Sequence, residues 1–313
     1  MCIIHNRRVV VMKHLVSIDD LTMEEIYEIV KLGKELESSK YNFTKTNKNL
    51  TTIFFENSTR TKMSFLRAGQ NIGMNVLDLN VQTSSIHKKE TMFDTIMTID
   101  TLDSDVIIVR SGEENLLKQI VNEKPNATII NGGCGLEHPT QALLDFATIK
   151  NHFPNNLSGL KVVIVGDVKH SRVAYSNALL LNRVGCDITF VAPDHMQIPD
   201  NVLPFVRRSD NLFDSIIDAE VVMGLRVQFE RGDYKIMDIN DYIDRFQISS
   251  RMLDYASPYE DGVILMHPQP VNYGTEFDES IIYDGRNVMR EQIISGLYVR
   301  MALLILAQKE GLQ

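Results

Sequence analysis

From residue 13 onward the chain alternates between short apolar runs and longer segments with apolar residues three and four apart. Ile26, Ile29, Val30 and Leu32 recur at helical spacing behind Asp19, Asp20 and Thr22, which predicts a capped helix. The run TTIFFE (51–56) then reads as a strand. Asn57 and Ser58 supply a turn and an N-cap, and a helical pattern follows as far as Gly73. MNVLDLN (74–80), DVIIVR (105–110) and ATIING (127–132) are further strands, with a polar stretch from Val81 that turns helical near its end. NHFPNNLSG (151–159) gathers turn formers and breaks the periodicity, so it reads as a linker.

A second series begins there. KVVIVGD (161–167), DITFVAP (187–193), AEVVMGLR (219–226) and GVILMHP (262–268) predict strands, with a helix from about Ser171. The last pattern, EQIISGLYVRMALLILAQ (291–308), is a helix with a broad apolar face and no strand after it. Alternating strands and helices predict an α/β chain of two domains, each a parallel sheet flanked by helices. The expected boundaries are 1–150 and 151–292, with a C-terminal helix (293–313) packing back on the first domain. No repeat of fixed period is present.

Length agrees with two domains, since 313 residues exceed what one core usually holds. A hydrophobic share of 44% places the chain among globular proteins. The formal charge of −9 argues against a general nucleic-acid binder and against anionic membrane surfaces, so any cationic site must be local. Cys2, Cys134 and Cys186 are scattered and form no C-x-x-C pair. That excludes a disulfide framework and a thiolate zinc site, and it fits a reducing cytoplasm. No apolar run approaches the ~20 residues that span a bilayer. Residues 1–11 read as a tail, or as sequence ahead of a start at Met12, and no function is assigned to them.

One charge is in an unusual place. FFENSTRTKMSF (54–65) opens a helix with Arg60 and Lys62 and with hydroxyls on Ser58, Thr59 and Thr61. A helix start carries partial positive charge and favours acids, so basic residues there cost up to ~1 kcal/mol unless an anion is bound. A strand-to-helix turn with free N–H groups, hydroxyls and a guanidinium suits phosphate. NGGCGLEHPTQALLD (131–145) is the second candidate. Its glycines allow close backbone approach, Pro139 suits a first helical turn, and His138 stands at a strand's carboxyl end, where open α/β sheets bind ligands. The helix start favours a neutral imidazole able to donate a hydrogen bond. No other histidine stands at metal-ligand spacing from it.

Three segments of the second series are ambiguous alone. GDVKHSRVAYS (166–176) has one glycine where a dinucleotide fingerprint needs three; Arg172 reads equally as a carboxylate fork or as a salt-bridged surface residue. In LRVQFERGDY (225–234), alternation places Arg226 and Gln228 on one side, as a ligand pair or as edge-strand charge. The prolines of MHPQPVNYG (266–274) make a rigid turn that exposes carbonyls. TSSIHKKET (83–91), basic and poor in apolar residues, reads as an exposed loop.

In this order, from Met12 onward, the segments resemble the aspartate carbamoyltransferase catalytic chains of the transcarbamoylase family. FFENSTRT looks like the carbamoyl-phosphate motif, HPTQALLD is similar to a second family signature, and GDVKHSRVAYS, LRVQFER and MHPQPVN resemble the aspartate-specific domain. The resemblance implies transfer of a carbamoyl group from carbamoyl phosphate to the amine of L-aspartate, an early step of pyrimidine synthesis. It implies a first domain that binds carbamoyl phosphate and a second that binds aspartate, with no cofactor and no metal. Ser58, Thr59, Arg60 and Thr61 would hold the phosphate. Thr61, Arg110 and His138 would surround the carbonyl oxygen, and Gln141 the carbamoyl amide. Arg172 and Arg226 would grip the aspartate carboxylates beside Gln228, and the carbonyls of Pro268 and Gln269 would meet the amino groups.

The resemblance also gives the basic loop a task. Ser84 and Lys88 match a serine and a lysine that reach a neighbouring subunit's site, to touch phosphate and, for Lys88, aspartate too; this implies a homotrimer. Lys89 stands in place of a glycine and could exchange roles with Lys88. Lys62 replaces an arginine, Leu66 a glutamate, Tyr273 an arginine and Gln269 a smaller residue. Association with regulatory chains or a dihydroorotase is left open. Ornithine carbamoyltransferases are the nearest alternative, but an HCLP segment stands there where this chain has HPQP. A non-catalytic member of the fold is the other.

Overall fold

The computed structural model describes residues 13–38, 43–81, 90–155, 157–227, 239–256 and 262–307. The first series of elements runs α1 (Met23–Ser38), β1 (Asn49–Phe54), α2 (Thr59–Asn71), β2 (Asn75–Leu79), α3 (Met92–Thr101), β3 (Val106–Arg110), α4 (Leu116–Asn122), β4 (Thr128–Asn131) and α5 (Pro139–His152). Thr22 opens α1 as the sequence predicts. Its Oγ1 accepts from the Glu25 N–H at 3.2 Å while the Glu25 carboxylate accepts from the Thr22 N–H at 2.6 Å, a reciprocal capping box.

The four strands form one parallel sheet in the order β2-β1-β3-β4. β3 and β4 are buried almost throughout, which is why their sequences are unbroken apolar runs rather than alternations. β2 is an edge strand and largely exposed. One core cluster joins Ile53, Ile107, Val109 and Ile129 of the sheet to Ile96 of α3 and Ile120 of α4. Register decides what comes next. Phe54 pairs with Arg110 and Val109 with Asn131, so β1, β3 and β4 end together at the carboxyl edge.

The second series runs β5 (Lys161–Val165), α6 (Arg172–Arg183), β6 (Asp187–Val191), β7 (Arg207–Ser209), α7 (Leu212–Ile216), β8 (Val221–Gly224), α8 (Ile239–Phe246), α9 (Ser250–Leu253), β9 (Ile264–Met266) and α10 (Met289–Leu306). Its sheet is also parallel, ordered β7-β6-β5-β8-β9.

The chain divides into two compact units, Met1–Leu144 with Ile294–Gln313, and Asp145–Ile293. The division falls inside α5 and inside α10. Most of α10 therefore belongs to the first unit, as the sequence predicts for the last helix. Arg300 donates to Ser64 Oγ of α2 at 2.9 Å, and Thr128 Oγ1 of β4 donates to the Ala307 carbonyl at 3.0 Å. Gly33 of α1 lies so close that a Cβ there would stand 3.4 Å from the backbone of Tyr298 and Val299. No described helix is long and apolar enough to cross a membrane.

Candidate functional site

The carboxyl edge of the first sheet gathers the groups expected to meet an anion. Ser58 is the N-cap of α2, and its side chain makes no capping hydrogen bond. The first turn of α2 holds no acidic residue. The N–H groups of that turn thus lack both the usual side-chain cap and the usual compensating charge. Thr59 and Arg60 are exposed there, while Thr61, one residue on, is 6% exposed and points inward.

Thr61 Oγ1 lies 3.3 Å from Nε2 of His138, itself 5% exposed. Thr140 Oγ1 stands 3.4 Å from the other ring nitrogen. A hydroxyl on each side lets the imidazole keep one N–H and one lone pair in either tautomer. Gln141 is buried in the first turn of α5, and its N–H donates to the His138 carbonyl at 2.9 Å. Arg110 ends β3. Its Nη1 donates to the Gly132 carbonyl at 3.1 Å, and its Nε lies 3.8 Å from Glu56 Oε2. Gly133 has φ 114°, and a Cβ on it would collide with that guanidinium. The positive φ requires glycine there, and its missing side chain leaves the guanidinium its place.

Lys62 takes a different direction from its neighbours. Its Nζ pairs with Asp78 Oδ2 at 2.8 Å, and Asp78 Oδ1 accepts from Thr52 Oγ1 at 2.7 Å. Its charge is answered by Asp78 of β2.

Several supporting groups here had no signal in the sequence. Asn131 Oδ1 accepts from the N–H of Gly133 at 2.7 Å and of Cys134 at 2.6 Å, and its Nδ2 donates to the Val16 carbonyl at 2.7 Å. Glu137 accepts from the Ile18 N–H at 2.9 Å, and burial pushes its carboxyl above the usual range. Together they tie the loop before His138 to the segment ahead of α1. Glu56 is the third.

In the second unit Arg172 is the first residue of α6, behind Ser171, whose Oγ accepts from the Ala174 N–H at 3.1 Å. Arg226 follows β8, where the Leu225 N–H donates to the Val165 carbonyl at 2.7 Å. Pro268 and Gln269 follow β9. The His267 N–H donates to Gln292 Oε1 at 2.9 Å, while Gln292 Nε2 and Asn177 Nδ2 both donate to Asp145, at 2.9 and 2.8 Å. Gln269 has φ 60°, and its N–H donates to His267 Nδ1 at 2.7 Å. Nδ1 of His267 therefore carries the lone pair, which fixes the tautomer. Ser84, Lys88, Lys89 and Gln228 lie outside the described residues. Among the described residues no cluster of three or more His, Cys, Asp or Glu could hold a metal ion.

Comparison with known proteins covers both units. Residues 13–151 match the family model described as aspartate/ornithine carbamoyltransferase, carbamoyl-P binding domain, and residues 158–307 match that of the Asp/Orn binding domain. The aspartate carbamoyltransferase catalytic subunit of Caldanaerobacter subterraneus subsp. tengcongensis is 41% identical over 301 residues, covering 93% of this chain and 96% of that protein. The subunit of the same name from Campylobacter jejuni subsp. doylei is 36% identical over 304 residues, covering 96% and 100%. Among solved structures, aspartate transcarbamoylase from Trypanosoma cruzi in complex with carbamoyl aspartate and phosphate matches with a TM-score of 0.87 at 28% identity, over 98% and 99% of the two chains. The same enzyme in complex with N-(phosphonacetyl)-L-aspartic acid matches with a TM-score of 0.85 at 29% identity, over 95% and 96%.

Proposed function

The chain belongs to the aspartate/ornithine carbamoyltransferase family, and on that premise we propose that it moves the carbamoyl group of carbamoyl phosphate to the amine of L-aspartate. The products are N-carbamoyl-L-aspartate and phosphate. The amine nitrogen attacks the carbamoyl carbon, the bond from that carbon to the phosphate oxygen breaks, and the amine gives up a proton. Phosphate is a good leaving group, so no protein nucleophile is needed; binding, orientation and electrostatics suffice.

The observation that carries the reading is the acid-free start of α2, with an uncapped Ser58, beside the buried Thr61 and His138 pair. Ser58, Thr59, Arg60 and Thr61 hold the phosphate. Thr61, Arg110 and His138 donate to the carbonyl oxygen as it gains negative charge, each such donor typically worth ~3 kcal/mol. Gln141 takes the carbamoyl amide. In the second unit the guanidinium groups of Arg172 and Arg226 take the two carboxylates of aspartate, with Gln228 alongside, and the carbonyls of Pro268 and Gln269 meet the amino groups. Two arginines suit a dicarboxylate and repel the extra amine of ornithine. The curated relatives at 41% and 36% identity also carry the aspartate name.

We assign Ser84 and Lys88 to a neighbouring subunit's site in a homotrimer, within the cytoplasm and in pyrimidine synthesis. The assay is direct: carbamoyl phosphate with aspartate should yield carbamoyl aspartate and phosphate, and ornithine should be inert. Turnover of ornithine alone would reverse the choice of substrate. Arg60→Ala should lower kcat about 10²–10³-fold with unfolding unchanged, the usual loss for a transition-state contact; a near-normal rate would remove the phosphate assignment. Mixing inactive Lys88→Ala chains with inactive Arg60→Ala chains should restore part of the activity. No recovery in demonstrably mixed oligomers would refute the shared site.

A further inference from the structure

Glu276 is 2% exposed and has no part in the transfer just described. Carboxylates are rarely buried so completely unless they are paired. Among the described residues no cation lies within ion-pair distance of this one. Three N–H donors satisfy it instead, and they come from two segments. The Val227 N–H donates to Oε1 at 2.7 Å, the Asn272 N–H to Oε2 at 2.7 Å, and Asn272 Nδ2 to Oε1 at 2.9 Å. Burial raises this carboxyl above its usual range, and the donors pull it part of the way back.

The two segments are those expected to meet the amino-acid substrate. Val227 directly follows Arg226, and Asn272 stands three residues past Gln269. A second contact holds the same pair of segments. The Phe277 ring packs onto Gly224 so closely that a Cβ there would stand 2.5 Å from it, and the ring meets His267 edge-on at 5.3 Å between centroids. The backbone of Glu276 is fixed as well, because its carbonyl accepts from the Ile248 N–H at 2.9 Å.

We infer that Glu276 is a positioning residue for the amino-acid substrate: its carboxylate clasps the Arg226 segment to the Pro268–Gln269 turn and sets the spacing at which guanidinium and carbonyls meet a dicarboxylate. The inference rests on the reading that these residues bind aspartate. A carboxylate is the right group because both oxygens must accept. A glutamine keeps one accepting oxygen and turns an N–H towards a backbone N–H, that of Asn272 or that of Val227. One of the two backbone bonds is then lost and replaced by a donor facing a donor. Loss of register of about 1 Å between binding groups is enough to cost on the order of 10²-fold in rate.

The test compares Glu276→Gln with the parent enzyme in steady-state kinetics and thermal unfolding. The expected result is a KM for aspartate raised about tenfold or more, with the KM for carbamoyl phosphate unchanged. Glu276→Asp, which keeps the charge but shortens the reach, should fall between. A purely structural role would lower the unfolding midpoint or the active fraction and leave KM of the folded enzyme alone, and that result overturns the inference. If Glu276→Gln fails to fold, Asn272→Ala decides, since it removes one donor and keeps both backbone bonds. A raised aspartate KM supports the clasp, and an unchanged one refutes it. Failure of the parent enzyme to use aspartate at all would instead remove the reading beneath it.

Discussion

At the scale of single residues, burial and partners decide what a side chain can do. Cys186 lies in an apolar setting near Glu220 and Asp187, and burial first, then those two charges, push its thiol up to about 12. At pH 8 its thiolate fraction is then about 10⁻⁴, and the thiolate is the reactive form. Iodoacetamide at pH 8 should leave Cys186 unlabelled in the native protein and label it fully in guanidinium, as read by peptide mass spectrometry. Asp284 shifts the other way: hydrogen bonds from Arg286 hold its carboxyl well below the ordinary value near 3.8. A depressed carboxyl stabilises the fold above the unfolded pKa, and that contribution fades as pH falls through the folded one. Asp284→Asn should therefore cost ~1–3 kcal/mol at pH 7, with the deficit shrinking below about pH 4, measured by urea unfolding across that range. The placement of Arg60, Thr61 and His138 at strand ends was legible in the sequence, because an apolar run is followed there by a turn and a helix start. Glu56, Asn131 and Glu276 were not legible. Each works through partners brought close by folding, as Glu276 does with Val227, 49 positions away.

At the scale of elements, the sequence was most informative where a strand is buried on both faces. β3, β4 and β5 announce themselves as apolar runs, and their edges agree with the structure to within a residue or two. β7 gave no such signal. Its sequence, Arg-Arg-Ser, is polar because it lies at an edge of its sheet, where one side needs no partner. The short helices α7 and α9 were silent for a related reason, since so few residues cannot display a helical period. The same sheet end gives a packing prediction. Gly224→Ala would drive a methyl group into the Phe277 ring, which is fully buried. Overpacking of this kind costs ~1–3 kcal/mol, so denaturant unfolding should show a loss in that range; no loss would mean the ring shifts freely.

At the scale of the whole molecule, the cationic groups proposed to meet substrate sit on a chain of net charge −9, so under that proposal recognition is local rather than a property of the overall field. The first unit is also discontinuous. Arg300, Val299 and Leu303 of α10 complete a body whose other members lie before residue 145. A chain ending at Ile293 should lose that body's protection: amide hydrogen exchange should quicken across β1, β3 and β4 while β5, β6 and β8 stay slow. Equal protection in both sheets would show that α10 is dispensable. The discontinuity also bears on how the protein is made. A ribosome adds about 5–20 residues per second, and about 150 residues separate Leu144 from the part of α10 that rejoins the first unit. For roughly 10–30 s the nascent first unit waits with the faces around Gly33, Ser64 and Thr128 open to water, although its sheet sequences have long emerged. The second unit has its whole sequence available sooner. The half translated first is thus the half finished last, and during synthesis it is the one whose packing stays incomplete longest.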